Sequence, residues 1–199
     1  MNHEKAVTIP RAIKTDSVIE GPNASLNFFS DHFYIHGDFD STISAYVIPH
    51  MVREIEAKKK VRDATIRFYI DSNGGYTSDL KNLLSLFEMA KSEGITVETY
   101  VFAKAYSCGS VLAAAGTKGS RFVGEHAEHL CHLGNSGTWA RNDTELSRET
   151  ARSKSHFDWV RSIYKRYATI KNLEKAIHDD GLFIGGKDIV ANGLADKII

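Results

Sequence analysis

Apolar positions along this chain repeat first at one period and then at another, and small or polar residues mark most of the changes. Ile95 to Phe102 (ITVETYVF) is rich in β-branched and aromatic residues and reads as a strand. From Ser107 the segment SCGSVLAAAG is dense in Ala and Leu and reads as a buried helix. Upstream, Phe33 to His36 (FYIH), closed by Gly37, predicts a first strand. From Asp40, a candidate N-cap, the positions Ile43, Tyr46, Val47, Met51, Val52 and Ile55 keep helical spacing as far as Lys58, Lys59 and Lys60, with a kink expected at Pro49. Thr65 to Ile70 (TIRFYI) predicts a strand and Asp71 to Gly75 (DSNGG) a turn. Leu80, Leu83, Leu84 and Phe87 then make one face of a second helix.

Downstream of the Ala-rich helix, two short strands are predicted, Ser120 to Val123 and Glu128 to Leu133, followed by the polar run GNSGT. Asn142 with Glu145 three residues on is a capping-box-like start for a long helix to about Ala168. Its single stripe, Leu146, Phe157, Val160, Ile163, Tyr164 and Tyr167, among heavily charged faces predicts an arm that packs on a partner as much as on its own core. A last strand-helix segment runs from Asp179, Asp180 and Phe183 through Lys187 to Asn192 and closes with GLADKII.

Strands alternating with helices predict an α/β fold with βαβ units on a mainly parallel sheet, whose working end lies at the carboxyl ends of the strands. Both the Gly74-Gly75 turn and the Ala105 to Gly109 turn fall there. Residues 1–27 mix charge, Pro10, Gly21 and Pro22 without periodicity and read as a mobile arm, leaving 28–199 as one domain, with the long helix at about 142–168.

Composition narrows the function. Lys plus Arg equals Asp plus Glu at 25 each, so no charge surplus points to nucleic acid. No apolar run approaches the roughly 20 residues needed to span a bilayer, and the N-terminal stretch has no uninterrupted apolar core of a secretory signal. Two cysteines, Cys108 and Cys131, give neither a disulfide framework nor a paired zinc motif, and a reducing cytoplasm is the simplest home. A zinc site from His126, His129 and His132 fails because residues three apart on a strand do not share a face.

The candidate chemistry gathers around Ser107. At a helix N-terminus, unpaired N–H groups and the positive end of the dipole favour a developing oxyanion. Ala105 and Gly109 leave room for a sharp turn, although a plain capping serine would look the same. Serine acyl transfer also needs an imidazole to take the hydroxyl proton and a carboxylate to orient the imidazole. His132 ends a strand 25 residues further on, the Asp179-Asp180 pair follows within 48 more, and Gly74-Gly75 offers backbone N–H groups with no Cβ in the way.

These motifs resemble the proteolytic subunit of the Clp protease. Ile70 to Gly75 (IDSNGG) is similar to the family's INSPGG, and Ala105 to Gly109 (AYSCG) to its AxSxG. LAAAGTKGSRF, the LCH ending at His132 and the closing VANGLADKII also track the family, from about Phe33 to Ile199. The resemblance implies a Clp/crotonase-like fold of repeated β-β-α and βαβ units in a superhelix, with the long helix as a protruding handle. It implies Ser107 as nucleophile, His132 as base then acid, and Asp180 as orienter with Asp179 second. The amides of Gly75 and Cys108 would form the oxyanion hole, and Gly74, Leu133 and Gly134 would bind substrate. Leu133-Gly134 stands where the family has Gln-Pro, and the acid is recovered at Asp180 only with a one-residue insertion near Leu182. The implied protein is a self-compartmentalising serine endopeptidase without metal or cofactor. It would form a homo-oligomer of stacked heptameric rings, hydrolyse peptides or unfolded proteins, and be open to feeding by an ATP-dependent unfoldase. Two other readings are a non-catalytic ring subunit and a crotonase-like acyl-CoA enzyme, which polarises a thioester with two amides and needs no serine.

Overall fold

The computed structural model describes residues 17–20, 24–29, 31–134, 140–170, 173–177 and 181–199. Within them the chain runs β1 (Ser17–Glu20), β2 (Ala24–Phe29), β3 (His32–Phe39), a π-helical turn (Ile43–Val47) leading into α1 (Ile48–Lys58), β4 (Thr65–Gly75), α2 (Thr77–Ser92), β5 (Thr96–Val101), β6 (Lys104–Tyr106) and α3 (Cys108–Ala114). It continues with β7 (Arg121–Val123), β8 (Glu128–Cys131), α4 (Asp143–Tyr167), α5 (Leu173–Ala176), β9 (Leu182–Gly185), α6 (Lys187–Ala191) and β10 (Lys197–Ile198).

The sheet branches. Its main path is β1-β2-β3-β4-β5-β7-β10, and the carboxyl end of β4 also pairs with β6, which carries β8 and then β9. From β3 to β10 along the main path every pairing is parallel, as are β4 with β6 and β6 with β8. The antiparallel pairs are β1 with β2, β2 with β3 and β8 with β9. The mixed α/β class and the mainly parallel sheet agree with the pattern in the sequence.

Alternation along the strands sorts side chains to two faces. Phe33 and Phe68 stack at 4.8 Å in the core, with Phe87 of α2 against Phe68. Their outward neighbours Tyr34, Tyr69, Tyr100 and Phe122 stack in a row across four strands, at 4.5 to 4.9 Å between successive rings. The motifs KGSRF and GLADKII meet at Arg121, whose buried guanidinium donates to the carbonyls of Ala114, Tyr167 and Gly193 and pairs with Asp196 at 2.6 Å. That one side chain joins the ends of α3 and α4 to the approach to β10.

Four local expectations change. The DSNGG stretch is not a turn: β4 continues through it, with Asp38 opposite Gly74 and Phe39 opposite Gly75 after a register shift that gives β4 one extra residue. Here the glycines serve close backbone approach rather than reversal. Part of the stretch read as an arm, β1 and β2, extends the sheet as an antiparallel hairpin on β3, so a boundary at residue 27 falls inside β2. The strand entering the Ser107 turn is not the ITVETYVF strand but β6, three residues in the branch sheet. Pro49 lies in the first turn of α1 just after the π-helical turn, where the hydrogen-bond pattern is already shifted and its missing N–H costs little. Asp40 caps this stretch as expected, accepting from the Thr42 amide at 2.8 Å.

Candidate active site

Ser107 joins β6 to α3 with φ 52° and ψ −118°, a conformation costly for a residue with a Cβ. Although it occupies the N-cap position, its side chain makes no capping hydrogen bond. The strain therefore does not serve helix capping, the role expected of an ordinary serine here. Two anchors hold the turn. The Ser107 amide donates to the Leu130 carbonyl at 2.8 Å, and the Val111 amide closes the first turn onto the Ser107 carbonyl at 3.2 Å.

The end of β4 presses against this turn. A Cβ on Gly74 would lie 2.6 Å from the Ser107 Cβ, 2.9 Å from the Tyr106 carbonyl oxygen and 3.1 Å from the Cys108 nitrogen. Only glycine leaves the front of the Cys108 amide open, and φ +100° at Gly74 suits only glycine as well. Gly75, at φ +138°, lies equally close to β3, where a Cβ would meet the Phe39 oxygen at 2.2 Å. The Phe39 carbonyl accepts from the Tyr76 amide at 2.9 Å, a parallel register that turns the amide and carbonyl of Gly75 away from β3. The carbonyl is taken by the Cys108 thiol at 3.2 Å. Ser72 organises this segment: it is buried, donates to the Gly37 carbonyl at 2.5 Å and accepts from the Gly74 amide at 3.0 Å.

Cys108 itself is no rival nucleophile, since burial pushes its thiol up to about 11. His132 lies one residue beyond β8, half-buried, and burial lowers its imidazole below the ordinary 6.5. Gly181 packs on it: a Cβ there would come within 3.0 Å of the His132 Cβ. Ser107, Cys108, Gly75, His132, Leu133 and Gly134 all line one cleft of about 900 Å³, which α4 also lines from Glu149 to Tyr164. Asp179 and Asp180 lie outside the described residues. His126 is exposed and His129 buried, so these imidazoles do not converge with His132.

A family model for the Clp protease matches residues 27–199. The chain belongs to the Clp protease family. Among its relatives is the "ATP-dependent Clp protease proteolytic subunit 2" of Chlamydia trachomatis serovar D, 30% identical over 138 residues, 67% of this chain and 64% of the relative. Subunit 4 of Rhodococcus jostii is 30% identical over 139 residues, 69% of each chain. The proteolytic subunit of Streptococcus pyogenes serotype M5 is 27% identical over 150 residues, 73% of this chain and 72% of the relative. The match thus spans just under two thirds of the chlamydial relatives' length.

Against this Clp family background, the structure adds residues that the sequence reading did not single out. Ser72 is one, signalled only by its two-residue offset from Gly74. Trp159 and His156 are others: they line the cleft from α4, where a helical stripe gave no hint of a cleft wall, and Lys81 of α2 sits 4.7 Å over the Trp159 ring. Among the described residues no helix is long and apolar enough to cross a membrane.

Proposed function

We propose that this Clp-family chain is a serine endopeptidase that cleaves peptides or unfolded proteins, with Ser107 as nucleophile and His132 as its base. The observation carrying the reading is the strained Ser107 that caps nothing, set against the glycines of β4 in the cleft that also holds His132. Positive φ at a strand-to-helix turn exposes a hydroxyl in front of backbone N–H groups, and such strain is kept where function uses it.

The steps follow from that placement. His132 accepts the Ser107 proton as the oxygen attacks the scissile carbonyl carbon. The resulting oxyanion is received by the amides of Gly75 and Cys108, donors already fixed before charge develops. His132 then passes the proton to the leaving amine as the C–N bond breaks, leaving an acyl-enzyme. A water, deprotonated by the same imidazole, attacks the acyl carbon and releases the acid and the free serine. Asp180, or Asp179, orients the imidazole; Gly74, Leu133 and Gly134 border the bound backbone. The proposed state is a homo-oligomer of stacked rings, the long α4 acting as the contact between rings, with an ATP-dependent unfoldase as a possible feeder. No metal or cofactor takes part in these steps.

A fluorophosphonate probe tests this directly. It is expected to add one covalent label per chain in the wild type, to add none to Ser107→Ala, and to react far more slowly with His132→Ala. A wild type that stays unlabelled while correctly folded and assembled overturns the reading in favour of a non-catalytic ring subunit. Unimpaired turnover of an acyl-CoA thioester by Ser107→Ala would favour the crotonase-like alternative.

A further inference from the structure

One polar pair in the interior has no part in the steps above. Ser110, one turn into α3 from Ser107, and His129 of β8 are both fully buried, and the Ser110 hydroxyl lies 3.0 Å from Nδ1 of His129. The same hydroxyl is 3.4 Å from the Cys131 thiol. Nε2 of His129 is buried with no hydrogen-bond partner. The arrangement that satisfies most groups has Nδ1–H donating to Ser110 and the Ser110 hydroxyl donating to Cys131, which leaves only a bare lone pair at Nε2. The ring stays neutral, because burial drives its pKa down to about 3.

A buried imidazole with one nitrogen unmatched is a poor way to fill space. An apolar pair of similar volume would pack there without the desolvation penalty. What the pair supplies is direction. The His129 backbone is fixed on both sides, opposite Ala105 of β6 and Ile184 of β9, so its ring projects from a rigid strand. Its hydrogen bond meets the first turn of α3, the turn whose leading amide is Cys108. Next along the same strand, the Leu130 carbonyl holds the Ser107 amide. β8 therefore grips the serine turn twice, once through backbone at its start and once through a side chain three residues on. α3 is also held by the Cys108 thiol on the Gly75 carbonyl and, at its far end, by Thr99 and Arg121 donating to the carbonyls of Ala113 and Ala114; the Ser110–His129 bond adds the side-chain tie from β8 to its first turn.

We propose that His129 is a positioning residue for the serine turn, tying the first turn of α3 to β8 through Ser110 and so refining the aim of the Cys108 amide and the Ser107 oxygen. The inference rests on the serine-peptidase reading. The pair touches no substrate, so its loss acts on the reacting geometry and leaves ground-state binding alone, and a misaim of a fraction of an ångström is enough to slow the chemistry.

The experiment compares Ser110→Ala, His129→Leu and His129→Asn with the wild type, measuring fluorophosphonate labelling rate, kcat and KM on a fluorogenic peptide, melting temperature and assembly size. Asparagine places a hydrogen-bonding group near the Nδ1 position without the ring. Ser110→Ala and His129→Leu are expected to lower kcat and labelling rate about tenfold with KM nearly unchanged, and His129→Asn to recover most of that loss. Ser110→Ala, which removes one atom, keeps the test open if the leucine variant misfolds. Wild-type kcat in Ser110→Ala, or equal losses in the leucine and asparagine variants, overturns the positioning role and leaves the peptidase reading intact. A wild type that neither labels nor hydrolyses overturns both.

Discussion

At the scale of single residues, two positions carry sharp expectations. A Cβ on Gly74 would meet the Ser107 Cβ and the Tyr106 carbonyl at distances no side chain tolerates, and would crowd the Cys108 amide. Gly74→Ala is expected to cost about 1–3 kcal/mol in urea unfolding from backbone strain and to suppress fluorophosphonate labelling in the fraction still folded. Labelling at the wild-type rate would mean that the amide in front of Gly74 is not used. His132 gives a pH dependence whose sign follows from its surroundings. Burial disfavours the imidazolium, so the ring titrates below 6.5. A neutral ring is needed to accept the serine proton, and activity should therefore hold through neutral pH and fall as pH drops below 6.5. A kcat/KM profile with no acid-side fall anywhere above the pH at which the protein unfolds would argue against His132 as the base.

At the scale of elements, the sequence revealed those whose pattern reflects burial on one face. Leu80, Leu83, Leu84 and Phe87 are all buried on α2, as their spacing required, and Asn142 accepts from the Glu145 amide at 2.9 Å to start α4. The glycine pair misled because local chemistry reads Gly-Gly as reversal, whereas here tertiary approach by β3 and the serine turn selects glycine within an extended strand. β6 was missed because three residues carry no periodicity; its pairing comes from β4 and β8. Likewise motif and order single out Ser107 and His132 as candidates, but the cleft they share, Ser72 and the α4 wall only emerge once distant segments meet. Arg121 and Asp196 belong to this class. Burial alone would raise the Asp196 carboxyl, but its hydrogen bonds and attraction to Arg121 outweigh that and hold it below 3.8. A folded pKa below the unfolded one adds stability that is fully present above pH 3.8 and is lost as pH falls through the folded value. Asp196→Asn strands the buried guanidinium and is expected to cost about 3 kcal/mol at pH 7, with the gap to wild type narrowing below pH 3.8. A gap independent of pH would assign the effect to packing.

At the scale of the whole molecule, α4 poses the main question. Its 25 residues make a rod about 37 Å long, yet only Val160 and Tyr164 are buried, both toward its C-terminal end. There it packs on the core, and Arg166 and Tyr167 bond to Glu88 of α2. Its first half presents Leu146 nearly half exposed among charged neighbours. Helix propensity and the Asn142 cap account for part of its order, but a helix with so little of its surface covered gains little from its own chain. In the stacked-ring assembly proposed for this chain, a partner's matching helix covers that face. Native mass measurement should then give a large multiple of the 22.1 kDa chain. Leu146→Asp should shift the population to smaller species while leaving the α2, α3 and β4 region folded by near-ultraviolet dichroism. A wild type that remains monomeric at micromolar concentration would remove the contact role from α4, and with it the enclosed chamber, leaving an open cleft on a single chain.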